Sequence, residues 1–530
     1  MHPHSLKTLK TNTNKPNQRR SLVTRTHSPK TSSPSLTVSS WNNAAPTPMQ
    51  LGTPKTVSSP PALNTAHAST ATTPGTMSST TPVTAAAALN MRAKLLPPTL
   101  AGVSEAAARL REGKLLAFPT ETVYGLGANA LMESSVLEIF KVKGRPLTDP
   151  LIIHVPTAAA ALECLSFPNP VDPSCPSEGR AMFDRLSEVF WPGALTIVAL
   201  AKPHIPLKVS AGTGFVGLRC PSHPLALRVL EAAGVPVAAP SANRFGHVSP
   251  TRASHVLNDL GDSDIAIMNG EDKREIFAVP ACEFGIESTV VKINESGREL
   301  IVLRRGAITK TQLEEAVAKK SGKMRGAKEE AVFEAIRNWT VTIVNTHDEM
   351  KRAETKELDS NSSRKRRKVD PAAAQDPPAS AAAGHVAPGQ LLTHYAPDGM
   401  ECYLVRPSGL NLDADSLDDV NTNQRLDCVT ALQTGAVVID FAGELAKKGL
   451  DEDHPSGLVL DYKDLSPRGD PKEAAKNLFA YLRWSEQYQG RAGRVLLADI
   501  ATICRTSDFV GGVADRMFRS ASGKVILLTD

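Results

Sequence analysis

Residues 115–127 read Leu115-Leu116-Ala117-Phe118-Pro119-Thr120-Glu121-Thr122-Val123-Tyr124-Gly125-Leu126-Gly127. The apolar run Leu115–Phe118 has the length of a buried strand, and it empties into hydroxyls, a carboxylate and two glycines. Hydroxyls and close backbone approach suit a small polar ligand, although the same pattern also makes an ordinary strand-to-turn connection. On the amino side, Ser104 is placed to cap a short helix running to Arg111 or Glu112 and stopping at Gly113. On the carboxyl side, Ser135 and Glu138 have capping-box spacing before a helix over 136–143, with Gly144 as its stop. The stretches 151–155, 194–200, 215–219 and 235–239 are apolar and of strand length, and 225–233 has helical spacing. Ser249-Pro250 opens a further helix with Ala253, Val256, Leu257 and Leu260 on one face and Gly261 after it. Strands alternating with helices give an α/β layer fold.

A second α/β pattern begins past residue 430. Residues 436–441 and 495–500 read as strands, 472–488 and 513–521 as helices, and 524–528 as a closing strand. The two patterns are separated by a polar stretch over 321–398, rich in Lys, Arg, Glu, Ser and Ala, with some room for structure at 332–344. The expected domains are therefore 91–320, a linker 321–398, and 399–530.

Residues 1–90 are rich in Ser, Thr, Pro, Asn and Ala, with neither period, and read as a disordered tail. The first acid in the chain is Glu105, and an acid-free, Arg- and Ser-bearing start also suits an organelle transit segment. The run Arg364-Lys365-Arg366-Arg367-Lys368 resembles a nuclear import signal or an RNA-contacting patch, and equally a solvated charged linker. The expected location is cytoplasmic, with a mitochondrial or other organelle pool open. No stretch approaches the ~18 apolar residues needed to span a bilayer, so no membrane role is expected. Seven cysteines without a CxxC pair argue against a disulfide framework or a zinc site. A net charge of +5 over 530 residues does not by itself mark a nucleic-acid binder.

Two more blocks carry chemistry. Lys141-Val142-Lys143-Gly144-Arg145-Pro146 puts three cations at a helix end, followed by Asp149 and His154. Such cations cap a helix carboxyl end, or they clamp phosphate, Arg through bidentate contacts and Lys as a point charge. Pro240-Ser241-Ala242-Asn243 follows a buried strand, where many α/β sheets place their ligands.

Taken together, PTETVYGLG (119–127), KGRP (143–146), WPGALT (191–196), PSAN (240–243) with SPT (249–251), ESTVV (287–291) and LRRGAI (303–308) resemble the YrdC-type family in order and spacing. The resemblance covers about residues 95–320. The segment 387–397, Ala-Pro-Gly-Gln-Leu-Leu-Thr-His-Tyr-Ala-Pro, is similar to the linker of that family's two-domain form, the threonylcarbamoyl-AMP synthases with an added Rossmann-like domain.

The resemblance implies an open, twisted α/β domain with a deep basic cavity, followed by a smaller Rossmann-like α/β domain. It implies use of ATP, L-threonine and bicarbonate, with Mg²⁺ accompanying ATP, to make threonylcarbamoyl-AMP for a tRNA adenosine. A downstream threonylcarbamoyl-transferase machinery would consume the product, and tRNA or duplex RNA contact is a further possibility. Carried over by motif, threonine meets Thr122, His154, Arg219, Ser241 and Ser288. ATP meets Arg145, Asp149, Asn243, Thr251, Arg304 and Tyr395, and Lys143 with Arg145 forms the catalytic phosphate clamp. Three positions depart from the pattern: Asp149 for Asn, Phe215 for Thr and Arg305 for Pro. A carbamoyltransferase of the same fold and a non-enzymatic RNA-binding factor are the alternative readings.

Overall fold

In the computed structural model of the chain, the strand quoted first, Leu115–Phe118, lies inside a large mixed sheet with all four residues buried. The structure describes residues 91–169, 172–271, 282–319, 327–344, 394–407, 430, 432–505 and 507–528. The expectations for the tail 1–90 and the basic run 364–368 lie outside them, as does most of the linker signature.

The first sheet contains β1 (Lys94–Leu96), β2 (Leu115–Phe118), β3 (Gly125–Asn129), β4 (Ile152–His154), β5 (Leu195–Leu200) and β6 (Phe215–Arg219). It is completed by β7 (Val237–Ala238), β8 (Ile265–Met268), β9 (Thr289–Asn294), β10 (Glu299–Arg304) and β11 (Thr340–Ile343). Their spatial order is β1-β8-β2-β3-β7-β4-β6-β5-β9-β10-β11. Parallel and antiparallel pairs mix along it: β2 runs parallel to β8 but antiparallel to β3, and β4 runs parallel to β6 but antiparallel to β7. Besides a smaller cluster of Ile152, Val198, Val290 and Leu303, two large apolar clusters cover much of it. One packs Phe140, Phe183 and Trp339 beneath the middle and far strands; the other packs the helices Leu100–Arg111 and Pro224–Ala233 against β2. The stretch expected to open the linker holds a helix, Ala327–Ile336, and β11, which pairs with β10.

The second sheet contains β12 (Glu401–Pro407), β13 (Ala436–Asp440), β14 (Val459–Asp464), β15 (Arg494–Ala498) and β16 (Val525–Leu528), in the order β14-β13-β15-β12-β16. Every pair is parallel. Parallel strands are covered on both faces, which is why β13 and β15 read as unbroken apolar runs. Among the described residues, no helix is long and apolar enough to cross a membrane.

Three expected caps fall elsewhere. The first helix starts at Leu100, not after Ser104, because Thr99 follows Pro97-Pro98 and its hydroxyl accepts from Gly102 N at 3.1 Å. The helix Glu133–Lys143 has already begun at Ser135, whose hydroxyl donates to Gly113 O at 2.7 Å and ties two turns together. Its stop at Gly144 is as read, with φ 65° in the left-handed region. Ser249 does not open a helix. The helix is Ala253–Leu260, and the Ser249 hydroxyl donates to Glu287 at 2.6 Å.

Candidate functional site

The turn after β2 is buried throughout, so its polar groups must satisfy one another. Thr120 Oγ1 donates to Val123 O at 2.6 Å and shares a hydrogen bond with Thr122 Oγ1 at 2.8 Å. Gly127 is required by the close strand crossing: a Cβ there would lie 2.8 Å from the Phe118 ring and from Val237. The turn forms one wall of a cavity. Arg145, His154, Arg219, Ser241, Ser288 and Arg304 come to the same cavity from other segments of the chain.

Its cations are held by acids and carbonyls of the protein. Arg145 donates to the carbonyls of Asp149 (3.0 Å) and Pro150 (2.8 Å), and its Nη2 lies 3.0 Å from the Asp149 carboxylate. Arg219 Nη2 donates to Glu121 Oε1 at 2.6 Å. Arg304 donates to Ser288 O and Oγ at 3.1–3.2 Å, and Ser288 Oγ shares a hydrogen bond with Thr196 at 2.8 Å. Burial, and then the neighbouring Arg219, push His154 down to about 3, so its ring is neutral at ordinary pH.

Several buried polar atoms here lack a hydrogen-bond partner among the described residues: His154 Nδ1, Glu121 Oε2, Asp149 Oδ1, Asn243 Oδ1 and His394 Nδ1. Such atoms are rare in folded proteins; His154 and His394 line the cavity, where a ligand would complete them, whereas Glu121, Asp149 and Asn243 are not among its lining residues.

The mouth is closed by His394 and Tyr395. Their rings meet edge-on at 4.3 Å; Tyr395 also packs on Phe479 at 5.1 Å and lies under the Arg516 guanidinium at 5.9 Å. Tyr395 has φ 67°, a left-handed conformation costly for a bulky residue. Behind it, Arg516 from the second domain donates to Glu287 at 3.1 Å. Burial raises the Glu287 pKa, but Arg516 and Arg304 outweigh it and keep the carboxyl below its usual range. The free space left is about 50 Å³, room for only a few water molecules.

All five residues expected for threonine, Thr122, His154, Arg219, Ser241 and Ser288, line this one cavity. Of the nucleotide set, Arg145, Arg304 and Tyr395 line it. Asp149 stands behind Arg145, Asn243 Nδ2 donates to the carbonyls of Arg244 and His247, and the Thr251 backbone N–H donates to the His255 ring. The described end of the linker lies on this side, with Ala396 N donating to Gly246 O at 3.2 Å and His394 against Phe245. Lys143 corrects the expected pair of clamp cations. The last helical turn buries it, and its ammonium donates to the carbonyls of Ser241, at 2.7 Å, and Asn243. Burial and Arg145 hold its pKa well below the ordinary lysine value. It fixes the Ser241 loop, and Arg145 alone of the two faces the cavity.

Glu121, Glu287, His394 and Arg516 were not singled out from sequence. The first three sit inside motifs already quoted. Arg516 is signalled only by a charge on the apolar face of its helix, between Val513 and Met517.

A protein-family model described as "Telomere recombination" matches residues 108–306, and one described as "Threonylcarbamoyl-AMP synthase, C-terminal domain" matches residues 308–522. The threonylcarbamoyl-AMP synthase of Klebsiella pneumoniae is 31% identical over 163 residues, 30% of this chain and 80% of that relative. The chain belongs to the threonylcarbamoyl-AMP synthase family, in its two-domain form. The Bacillus subtilis member is 41% identical over 216 residues, 41% of this chain and 56% of its own length, so the chain spans about half of that relative. The crystal structure of P. abyssi Sua5 complexed with L-threonine superposes at a TM-score of 0.55 with 25% identity, over 82% of this chain and 99% of that one. The mixed first sheet and parallel second sheet of this family member agree with the α/β class and two-part order expected from sequence.

Proposed function

We propose that the chain forms threonylcarbamoyl-AMP and pyrophosphate from ATP, L-threonine and bicarbonate, for modification of an adenosine in tRNA. One observation carries this reading: the five side chains expected for threonine converge from separate segments on a single cavity walled by Arg145 and Arg304. That a relative of the same architecture is described in complex with L-threonine supports it.

In this reading the Glu121–Arg219 pair and neutral His154 orient threonine, with Ser241 and Ser288 offering hydroxyls. The deprotonated threonine amine attacks carbon dioxide derived from bicarbonate, forming a C–N bond and a carbamate. A carbamate oxygen then attacks the α-phosphorus of ATP; the bond to the β-phosphate oxygen breaks and pyrophosphate leaves with the electron pair. Such a displacement needs alignment and charge neutralisation more than a side-chain nucleophile. Arg145 and Arg304 supply positive charge, and Lys143 holds the Ser241–Asn243 loop in place. Magnesium would supply further neutralisation when bound with the nucleotide. Among the described residues no group of three or more His, Cys, Asp or Glu is placed to hold a metal. Asp149, whose Oδ1 lacks a hydrogen-bond partner, is the carboxylate beside Arg145 that would meet a phosphate-borne ion.

In this reading His394 and Tyr395, which line the cavity, move aside for loading and return to exclude water from the carbamate and the adenylate. The test is release of pyrophosphate by the purified full chain, with a mass spectrum of the product. Release that depends on both threonine and bicarbonate, with a product of the mass of threonylcarbamoyl-AMP, is the expected result. Release indifferent to threonine, or turnover with carbamoyl phosphate but not bicarbonate, would overturn the reading.

A further inference from the structure

The second sheet has an opening of its own. From β12 the chain passes to β13, which lies to one side beyond β15; from β15 it passes to β16, on the other side beyond β12. Neighbouring strands thus send their connections in opposite directions along the sheet. The result is a crevice between the carboxyl ends of β12 and β15, the position at which open α/β sheets bind ligands. A cleft of about 470 Å³ occupies it, within the range of roughly 300–1,000 Å³ for small-molecule sites.

The cleft is basic. Arg406 stands at the end of β12, Arg505 after β15 and Arg519 on the helix Val510–Ser520, and the first domain adds Arg304 and Arg305 across the gap. Its acids are already engaged: Asp499 with Arg406 at 2.6 Å, Asp515 with Arg516 and Arg519 at 3.0 Å, and Asp508 with the Thr311 backbone N–H at 2.9 Å. Arg305 and Arg505 are exposed, and no hydrogen bond or ion pair ties either guanidinium to another described residue.

Arg305 is also placed against its own interest. Its Nη1 lies 2.3 Å from where a Cβ on Gly511 would stand, so it rests on the first turn of the helix Val510–Ser520. That end of a helix carries partial positive charge, which repels a cation and attracts an anion. An anion between Arg305, Arg505 and the helix end would answer all three.

We propose that this cleft is a second ligand site, for a polyphosphate anion: either free pyrophosphate or the phosphate tail of a nucleotide. Two arginines with planar forks and a helix amino end match the bidentate geometry of phosphate oxygens. The site stands on its own residues and does not depend on the activity proposed above; Arg304 is a wall common to it and to the first cavity.

The experiment is calorimetric titration of the full chain with inorganic pyrophosphate and, separately, with a non-hydrolysable ATP analogue. The proteins are wild type, R505E and R305E/R505E, all changed only at exposed positions, with unchanged melting as the check on folding. Wild type should bind pyrophosphate in this cleft, and R305E/R505E should weaken that binding by at least about tenfold, the loss of one charge-assisted contact or more. R505E should fall between the two. Competition by the analogue assigns the site to a nucleotide tail, and pyrophosphate binding without competition assigns it to the free anion. Identical pyrophosphate isotherms in wild type and R305E/R505E would overturn the proposal.

Discussion

The cavity of the first domain and the cleft of the second are both lined with arginine, and they treat it oppositely. In the cavity the charges are internally matched: Arg219 to Glu121, Arg145 to Asp149, and behind the mouth Arg516 to Glu287. His394 and Tyr395 line the space between them, of which about 50 Å³ is free. In the cleft about 470 Å³ stays open, and two guanidiniums have no partner among the described residues. The difference follows from burial. A buried cation must be paired or it destabilises the fold, whereas an exposed one can wait for a ligand in water. Matched pairs make the first site rigid and specific, at the cost of having to open it.

The largest effect should come from breaking a matched pair. Arg516→Ala leaves Glu287 buried and without its cation, which typically costs about 3–5 kcal/mol. The measurement is chemical denaturation together with proteolysis at residues 394–397. A midpoint unchanged from wild type would show that this pair does not hold the two domains closed. Next comes the cavity cation that the proposed reading sets against the nucleotide. Arg145→Ala should weaken nucleotide binding by roughly 1.5–3 kcal/mol. It also strands Asp149, so Arg145→Ala with Asp149→Asn is the cleaner test: the fold should recover while nucleotide affinity stays low. Recovery of both would make Arg145 a partner of Asp149 alone.

Much of this was legible in the sequence, for physical reasons that vary by element. Buried parallel strands such as 495–498 announce themselves as apolar runs, and Gly144 announces a left-handed stop because few other residues tolerate it. That the residues expected for threonine would share one cavity was legible because their motifs sit at strand ends. Caps were less so. Ser104, Ser135 and Ser249 each have the chemistry of a cap, but the chain used Thr99, a bond to Gly113 O and a bond to Glu287. A hydroxyl does not say which backbone group it will meet. Lys143 was read as a phosphate ligand because its charge is visible in sequence and its burial is not. The pairs Arg516–Glu287 and Arg483–Asp259 join residues more than 200 apart, and no local spacing carries that information.

A smaller effect is expected where the matched region must move. Tyr395→Ala removes the ring that packs between Phe479 and Arg516, so the mouth should close less often. Pyrophosphate release should then exceed formation of intact threonylcarbamoyl-AMP by several-fold, while threonine affinity stays near wild type, since the proposed reading gives Tyr395 to the nucleotide. Equal ratios of product to pyrophosphate in both proteins would leave this segment as a spacer and remove closure from the comparison.

The smallest effect tests whether matching extends along the seam between the domains. His247 donates or accepts at both ring nitrogens, 2.9 Å from Asp259 and 2.5 Å from Glu486, and Arg483 binds the same Asp259 carboxylate at 2.9 Å. Burial alone would lower the His247 pKa, but the hydrogen bonds to Asp259 and Glu486 outweigh it and push it up to about 9. A folded-state pKa above the ordinary value of 6.5 means the native protein holds a proton that the unfolded chain has lost. The stabilisation is therefore fully present below about pH 6.5 and drains away as pH rises through about 9. Its size should be on the order of 1–2 kcal/mol, since Glu486 is partly exposed and its attraction is screened. Denaturant midpoints measured from pH 6 to 9.5 should fall for wild type. In His247→Gln, which keeps hydrogen-bonding capacity but does not titrate, that part of the slope should vanish. A wild-type slope retained in His247→Gln would place the titrating group elsewhere and confine charge matching to the cavity itself.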